Sequence, residues 1–431
     1  MGLAINQRGI RRPFGKTGAA IGNESLLVTE DAPAYGVLAG VRALRARGYR
    51  PWVAVAGAAT YSARSRAREG TVLVPDPAAG VEEYVSRLAE IAARLRVAAV
   101  LPGTENGLLA LAGTDQAFGT DIVVGAPSRE TVRRVTDKAV LVDLAPRVGL
   151  RAPPTLAVTA DHLDEIDDFD YPVIAKTSRT KTVAEDGTII SGMVRRVDTP
   201  GDLRSAVSSM PDASWLIQPY IRGVLTAVSG VAWKGDVICS HHQVAERIYP
   251  VDCGISAYAI SVVADPELDR SISKLVSLLD WSGLFQVQLL RNQEDIYVID
   301  VNPRMYGSLA LAIASGLNLP AIWVDVLLGR RPVVGRSRAA ARYRSEERDA
   351  GALWATLAQG NWRGLISGVT PRRGTTHAIF SIRDPLPLLA SVRHLHKART
   401  LFRVGGRSSA AADPPAPHST AKRTDGPRPK S

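Results

Sequence analysis

The chain has 431 residues, enough for two or three domains with a large core, and only two cysteines, Cys239 and Cys253, which exclude a disulfide-built scaffold. Its formal net charge of +11 is uneven: residues 331–431 carry 19 Lys/Arg against 6 Asp/Glu, leaving the first 330 residues near neutrality. The basic stretch is a candidate for attraction to a membrane surface or an acidic partner, while the rest has no charge signature of nucleic-acid binding, and no specific nucleic acid is expected.

In chain order, residues 1–24 read as a flexible N-terminus, Arg/Lys-bearing with no acid before Glu24. They have no signal-peptide pattern, and the expected location is cytoplasmic. The GIRRPFGKT run at 9–17 nearly imitates a phosphate-binding loop, but its first glycine comes one place too early and no strand precedes it. Residues 25–126 alternate strand and helix patterns: strands at 25–29, 51–56, 71–74, 97–101 and 121–125, and helices near 34–47 and 81–94. That alternation predicts a doubly wound parallel sheet. No dinucleotide fingerprint follows the first strand. Glu105, in the loop after the fourth strand, either faces a substrate or caps the next helix.

Beyond Ser128, read as a helix N-cap, Lys138 falls on a helix and Lys176 ends the apolar strand YPVIAK. A lysine partly buried at a strand end requires an anion, and phosphate is a natural one. Residues 215–220 (WLIQPY) form a further strand, and 224–262 read as several antiparallel strands. His241, His242 and the two cysteines match no zinc spacing, and alternation sends the two histidines to opposite faces.

Residues 284–308 read as a hairpin whose second strand ends Asp300-Val301-Asn302-Pro303-Arg304. Alternation puts Asp300 and Asn302 on one face, with Gln288 at the matching end of the partner strand. One carboxylate and two amide oxygens converging on a point suit Mg²⁺. The apolar run 309–328, interrupted by Asn318, Pro320 and Asp325, reads as a buried helix pair rather than a membrane span. Helices are expected at 350–359 and 387–402, the latter either covering the core or lying on an anionic membrane, and a disordered tail from 405.

The hairpin resembles the metal hairpin of the ATP-grasp superfamily, and Lys138, Lys176 and the Gln218 segment follow that family's order over roughly residues 26–329. The resemblance implies an α/β fold in part α+β: a pre-ATP-grasp domain at 25–126, a two-lobed ATP-grasp domain at 127–330, a basic, mostly helical region at 331–404 and a tail at 405–431. It implies ATP with one or two Mg²⁺ (or Mn²⁺) as cofactors, and Gln288, Asp300 and Asn302 as metal ligands. Lys138 and Lys176 would hold phosphates, Gln218, Tyr220 and Ile221 the adenine, and Arg304 the transition-state charge. Arg247, with His242, is a candidate at the acyl-phosphate or carboxylate.

Two departures stand out. The lid after Lys176 reads TSRTKT, without the usual glycines, and no acid follows the hinge for the ribose. The implied activity is a carboxylate–amine ligase acting on small-molecule carboxylate and amine substrates through an acyl-phosphate. The alternatives are a nucleotide-binding regulatory or scaffold protein with a degenerate site, or a small-molecule kinase.

Overall fold

The structure is a computed structural model that describes residues 23–57, 60–160, 169–251, 253–370 and 372–391. The chain begins with β1 (Ser25–Glu30), α1 (Tyr35–Ala46), β2 (Arg50–Val55), β3 (Gly70–Leu73), α2 (Val81–Leu95), β4 (Ala99–Leu101), α3 (Glu105–Leu111) and β5 (Val123–Val124). The five strands form one parallel sheet in the order β3-β2-β1-β4-β5, reversing at β1. β1 is buried along its whole length, as a central parallel strand covered on both faces must be.

Next come α4 (Arg129–Val135), whose N-cap Ser128 accepts from the Thr131 N–H, and α5 (Lys138–Leu144), capped by Asp137. A small four-stranded sheet follows in the order β10-β7-β11-β6, built from β6 (Leu156–Val158), β7 (Val173–Thr177), β10 (Val194–Val197) and β11 (Trp215–Pro219). Between β7 and β10 lies a separate hairpin, β8 (Lys181–Val183) and β9 (Ile189–Ser191). α6 (Pro200–Ser208) covers one face of the small sheet, where Val173, Ala175, Trp215 and Ile217 are buried. The other face carries Lys176 and Gln218, by simple alternation.

The large sheet has seven strands in the order β16-β15-β12-β13-β14-β17-β18. Its elements are β12 (Val224–Trp233), β13 (Asp236–Tyr249), β14 (Ile255–Val262), α7 (Pro266–Leu278), β15 (Gly283–Arg291), β16 (Ile296–Asn302), α8 (Leu309–Ala314), α9 (Leu319–Leu327), β17 (Arg342–Arg344), α10 (Glu346–Ala358), α11 (Trp362–Val369) and β18 (Thr375–His377). The sequence reading named no strand in its mostly helical region after 331; β17 and β18 extend the large sheet there, and at three residues each they are too short to display an alternation. The described residues up to Ala390 form one compact unit. The expectations for residues 1–22, for 392–402 and for the tail lie outside the described residues.

α1 packs against α8 and α9, and α9 in turn packs against β12 and β15 of the large sheet. A Cβ at Gly36 would lie 2.3 Å from the Met305 carbonyl oxygen, so only glycine lets α1 approach the segment that follows the metal-type hairpin. Met305 and Tyr306 are buried in the same cluster as β1, α1 and α9. Among the described residues no helix is long and apolar enough to cross a membrane.

Candidate active site

The hairpin of β15 and β16 pairs Gln288 with Asp300 and Gln286 with Asn302. The register slips between Gln288 and Leu289, whose partner is Val298, so Ile299 is the extra residue of a β-bulge. The bulge resolves a conflict. Val298 and Val301 both belong to the core, although three residues apart, while Asp300 and Asn302 both face the cleft. It also leaves the Ile299 carbonyl outside the ladder, and Lys176 donates its ammonium to that oxygen at 3.1 Å. Lys176 thus bridges from the small sheet to the large one.

Lys138, at the start of α5, stands 3.5 Å from Asp300 Oδ1 and donates to Thr180 Oγ1 at 2.8 Å. Both lysines are 5% exposed. Burial drives the Lys176 pKa down to about 8; the Asp300 charge opposes the fall and the Lys138 charge adds to it. Two ammonium groups around one carboxylate leave this place short of negative charge.

Arg304 donates to Asn302 Oδ1 at 3.1 Å and lies 3.7 Å from Glu105 Oε2. The N-cap of α3 is Thr104, whose hydroxyl accepts from the Gly107 N–H, so Glu105 is free of the capping role and turns to Arg304. Burial holds the Glu105 carboxyl above its usual pKa, against the pull of Arg304. Asn302 also donates to Gln286 Oε1 at 3.4 Å, and Gln286 donates to Ser308, which donates to Gln243. This buried chain orients the Asn302 amide. Gln286 was missed by the sequence reading, although it sits two residues before Gln288 on the same strand face.

Lys138, Glu105, Gln286, Gln288, Asp300, Asn302 and Arg304 line one cleft of about 730 Å³ that also takes in Asp31, Tyr35, Glu347 and Arg348; Lys176 lies behind it, against Ile299. The β8–β9 hairpin closes one side. Gly187 at its turn has φ +80°, and its carbonyl accepts from the Val81 N–H at 3.1 Å, while Ile189 donates to the Ala78 carbonyl at 3.0 Å. The glycine-poor lid is therefore a short hairpin tied to the start of α2.

The donor set fits magnesium. Asp300 supplies one carboxylate, Asn302 and Gln288 supply amide oxygens, and among the described residues nothing hydrogen-bonds the Gln288 side chain. Hard oxygen donors with few carboxylates suit a magnesium ion that keeps water and phosphate in its remaining positions.

The hinge residues are placed differently. Gln218 is buried on the cleft-side face of β11 and donates to Thr155 Oγ1 at 2.8 Å. Tyr220 gives its N–H to the Pro172 carbonyl and its ring to Arg196, 4.9 Å away. The Ile221 N–H has no acceptor among the described residues. None of the three borders the cleft, whose lining includes Lys138 but not Lys176.

Two expectations are corrected. Arg247 does not reach the cleft: bulges on either side of it in β13 turn it to Asp349, at 2.6 Å, with its guanidinium 4.4 Å from the Tyr258 ring centre. His242 points to Asp269, 2.8 Å away on α7. Neither Arg247 nor His242 borders the cleft.

A small antiparallel sheet facing a larger one across a lysine-lined cleft, with a metal-type hairpin at its floor, defines an ATP-grasp fold. Comparisons agree. A family model described as ATP-grasp in the biosynthetic pathway with Ter operon matches residues 212–348. The carbamoyl phosphate synthase large chain of Thermotoga neapolitana is 24% identical over 217 residues, 47% of this chain and 19% of that protein. The corresponding chain of Pseudomonas syringae pv. tomato is 24% identical over 231 residues, 52% of this chain and 21% of that one. This chain thus spans about a fifth of the length of these curated relatives. Among solved structures, an L-amino acid ligase from Bacillus licheniformis superposes with a TM-score of 0.55 at 16% identity, covering 71% of this chain and 74% of that one. The ADP complex of N5-carboxyaminoimidazole ribonucleotide synthetase gives 0.55 at 13%, covering 75% and 81%. The chain thus has the ATP-grasp fold, and its residues 212–348 are similar to an ATP-grasp family.

Proposed function

We propose that this protein is an ATP-dependent ligase that activates a carboxylate as an acyl-phosphate and passes the acyl group to an amine. The observation that carries the reading is Asp300, set beside Lys138 with Gln288 opposite it in register and Arg304 beyond. Such a cluster has no structural task that an apolar hairpin end would not perform at lower desolvation cost.

Lys138 and Lys176 hold the phosphate oxygens, their ammonium groups already stripped of water. Gln218 and the Ile221 N–H, beyond the cleft on the small-sheet side, would read the adenine, and Asp300, Asn302 and Gln288 would hold magnesium. When bound, the metal neutralises charge on the triphosphate. A carboxylate oxygen attacks the γ-phosphorus, the bond to the β–γ bridging oxygen breaks, and ADP leaves. Arg304, fixed by Glu105 and Asn302, stabilises the charge that develops at the transferred group. The amine nitrogen then attacks the acyl carbon, phosphate departs, and the amine's proton is lost to solvent or to a carboxylate in the cleft. The β8–β9 hairpin limits water access to the acyl-phosphate.

The test is ADP release with panels of carboxylic acids and amines. Release that requires both an acid and an amine, with an amide product of the expected mass, supports the reading. Phosphorylation of an acceptor without any amine requirement, or tight ATP binding without turnover, refutes it in favour of the kinase or the scaffold.

A further inference from the structure

The cleft extends past Arg304 to a second guanidinium. Arg348 lies in the first turn of α10, whose neighbours Glu346, Glu347 and Asp349 suit a helix N-terminus while a cation there does not. Its guanidinium lies over the Tyr35 ring, 4.8 Å from the centroid, and Tyr35 stacks on Tyr61 at 5.4 Å and 16°. Both tyrosine hydroxyls donate to the Glu347 carboxylate.

The other cations bordering the cleft have bonded partners. Lys138 faces Asp300, Arg304 faces Glu105, and Lys181 donates to Ser191. Arg348 has no ion pair and no hydrogen-bond acceptor among the described residues, although it is half-buried. Its Nη1 lies over Gly307, where an added Cβ would come within 3.3 Å. Gly307 is three residues past Arg304, so the two guanidiniums border neighbouring parts of one space.

We propose that Arg348 is a specificity-determining residue that binds a second carboxylate of the acid substrate, so that the substrate is a dicarboxylic acid rather than a simple monoacid. This rests on the reading of Arg304 as the group beside the carboxyl that is activated. A guanidinium stacked on a ring keeps its in-plane N–H edge open, a fork that matches a planar carboxylate in bidentate fashion. Asp31 and Glu347 in the same cleft repel a dianionic phosphate more than a singly charged carboxylate.

The experiment is thermal unfolding of the full chain with the dicarboxylates malonate through adipate, and with monocarboxylates of matched length, in the absence of nucleotide and with Mg-ADP. Wild type, Arg348→Met and Arg348→Lys are compared, and stabilisation by Mg-ADP alone serves as the check that each variant is folded with its nucleotide site intact. The expected result is that one diacid stabilises wild type at a concentration roughly tenfold or more below its matched monoacid. That preference disappears in Arg348→Met and is weakened in Arg348→Lys, with the Mg-ADP effect unchanged. A wild type without any diacid preference, or an Arg348→Met variant that keeps it, overturns the proposal. Failure of Mg-ADP to stabilise wild type counts instead against the ligase reading, and the nucleotide-free acid series still decides the role of Arg348.

Discussion

Lys176 on β7 donates its ammonium to the carbonyl of Ile299 on β16, 3.1 Å away, and so joins the two sheets between which the nucleotide is proposed to bind. The acceptor is available because Ile299 is bulged out of its ladder. One backbone irregularity therefore both aims Asp300 and Asn302 into the cleft and gives the buried lysine an oxygen to rest against.

A pH effect follows from that burial. Below pH 8 the Lys176 ammonium is already charged and ready for phosphate; above it, the neutral amine must first take up a proton. The affinity for Mg-AMPPNP is expected to fall as pH rises from 7 through 8 and beyond. Replacement Lys176→Arg, which stays charged, should flatten the profile, and Lys176→Met should weaken binding roughly 100-fold at neutral pH. Calorimetric titrations across the pH range check both.

Arg304 is expected to act on the chemical step more than on nucleotide binding. Arg304→Met should lower kcat by roughly 100- to 1000-fold, the scale of a lost oxyanion donor, while the affinity for Mg-ADP changes only a few-fold. Steady-state kinetics beside equilibrium binding separate the two.

Gln288 is a neutral donor opposite Asp300, which leaves the magnesium position with one carboxylate. Gln288→Glu should lower the magnesium concentration needed for half-maximal nucleotide binding. A magnesium dependence identical to wild type would count against Gln288 as a ligand.

Glu30, at the end of β1, is fully buried; it accepts from the Ala34 and Ser62 N–H groups, and burial raises its pKa to about 7. An acid whose folded pKa lies above its unfolded value binds more protons in the folded state between the two. Stability should therefore fall as pH rises from 4.5 to 7, by on the order of 3 kcal/mol for this group. Denaturant unfolding at several pH values should show that slope in wild type and its loss in Glu30→Gln.

Much of this was legible in the sequence because it rests on periodicity. The parallel sheet announced itself through alternating strand and helix patterns, and the period of two put Asp300 and Asn302 on one face. What the sequence hid depends on long-range partners. The Ile299 bulge exists because Val298 and Val301 must both reach the core, which no local pattern reveals. Arg247 and His242 looked free as residues on a strand, yet Asp349 and Asp269, 102 and 27 residues away, claim them. Arg348 carries no signal in the sequence, because only the fold lays it over Tyr35.

The most direct test of the magnesium-and-lysine cleft is isothermal titration of AMPPNP into wild type and Asp300→Asn, each with magnesium and with EDTA. The expected result is one binding event in wild type, tightened at least tenfold by magnesium, with most of that metal-dependent gain lost in Asp300→Asn. Absence of binding to wild type, or equal magnesium dependence in the two proteins, would contradict the account.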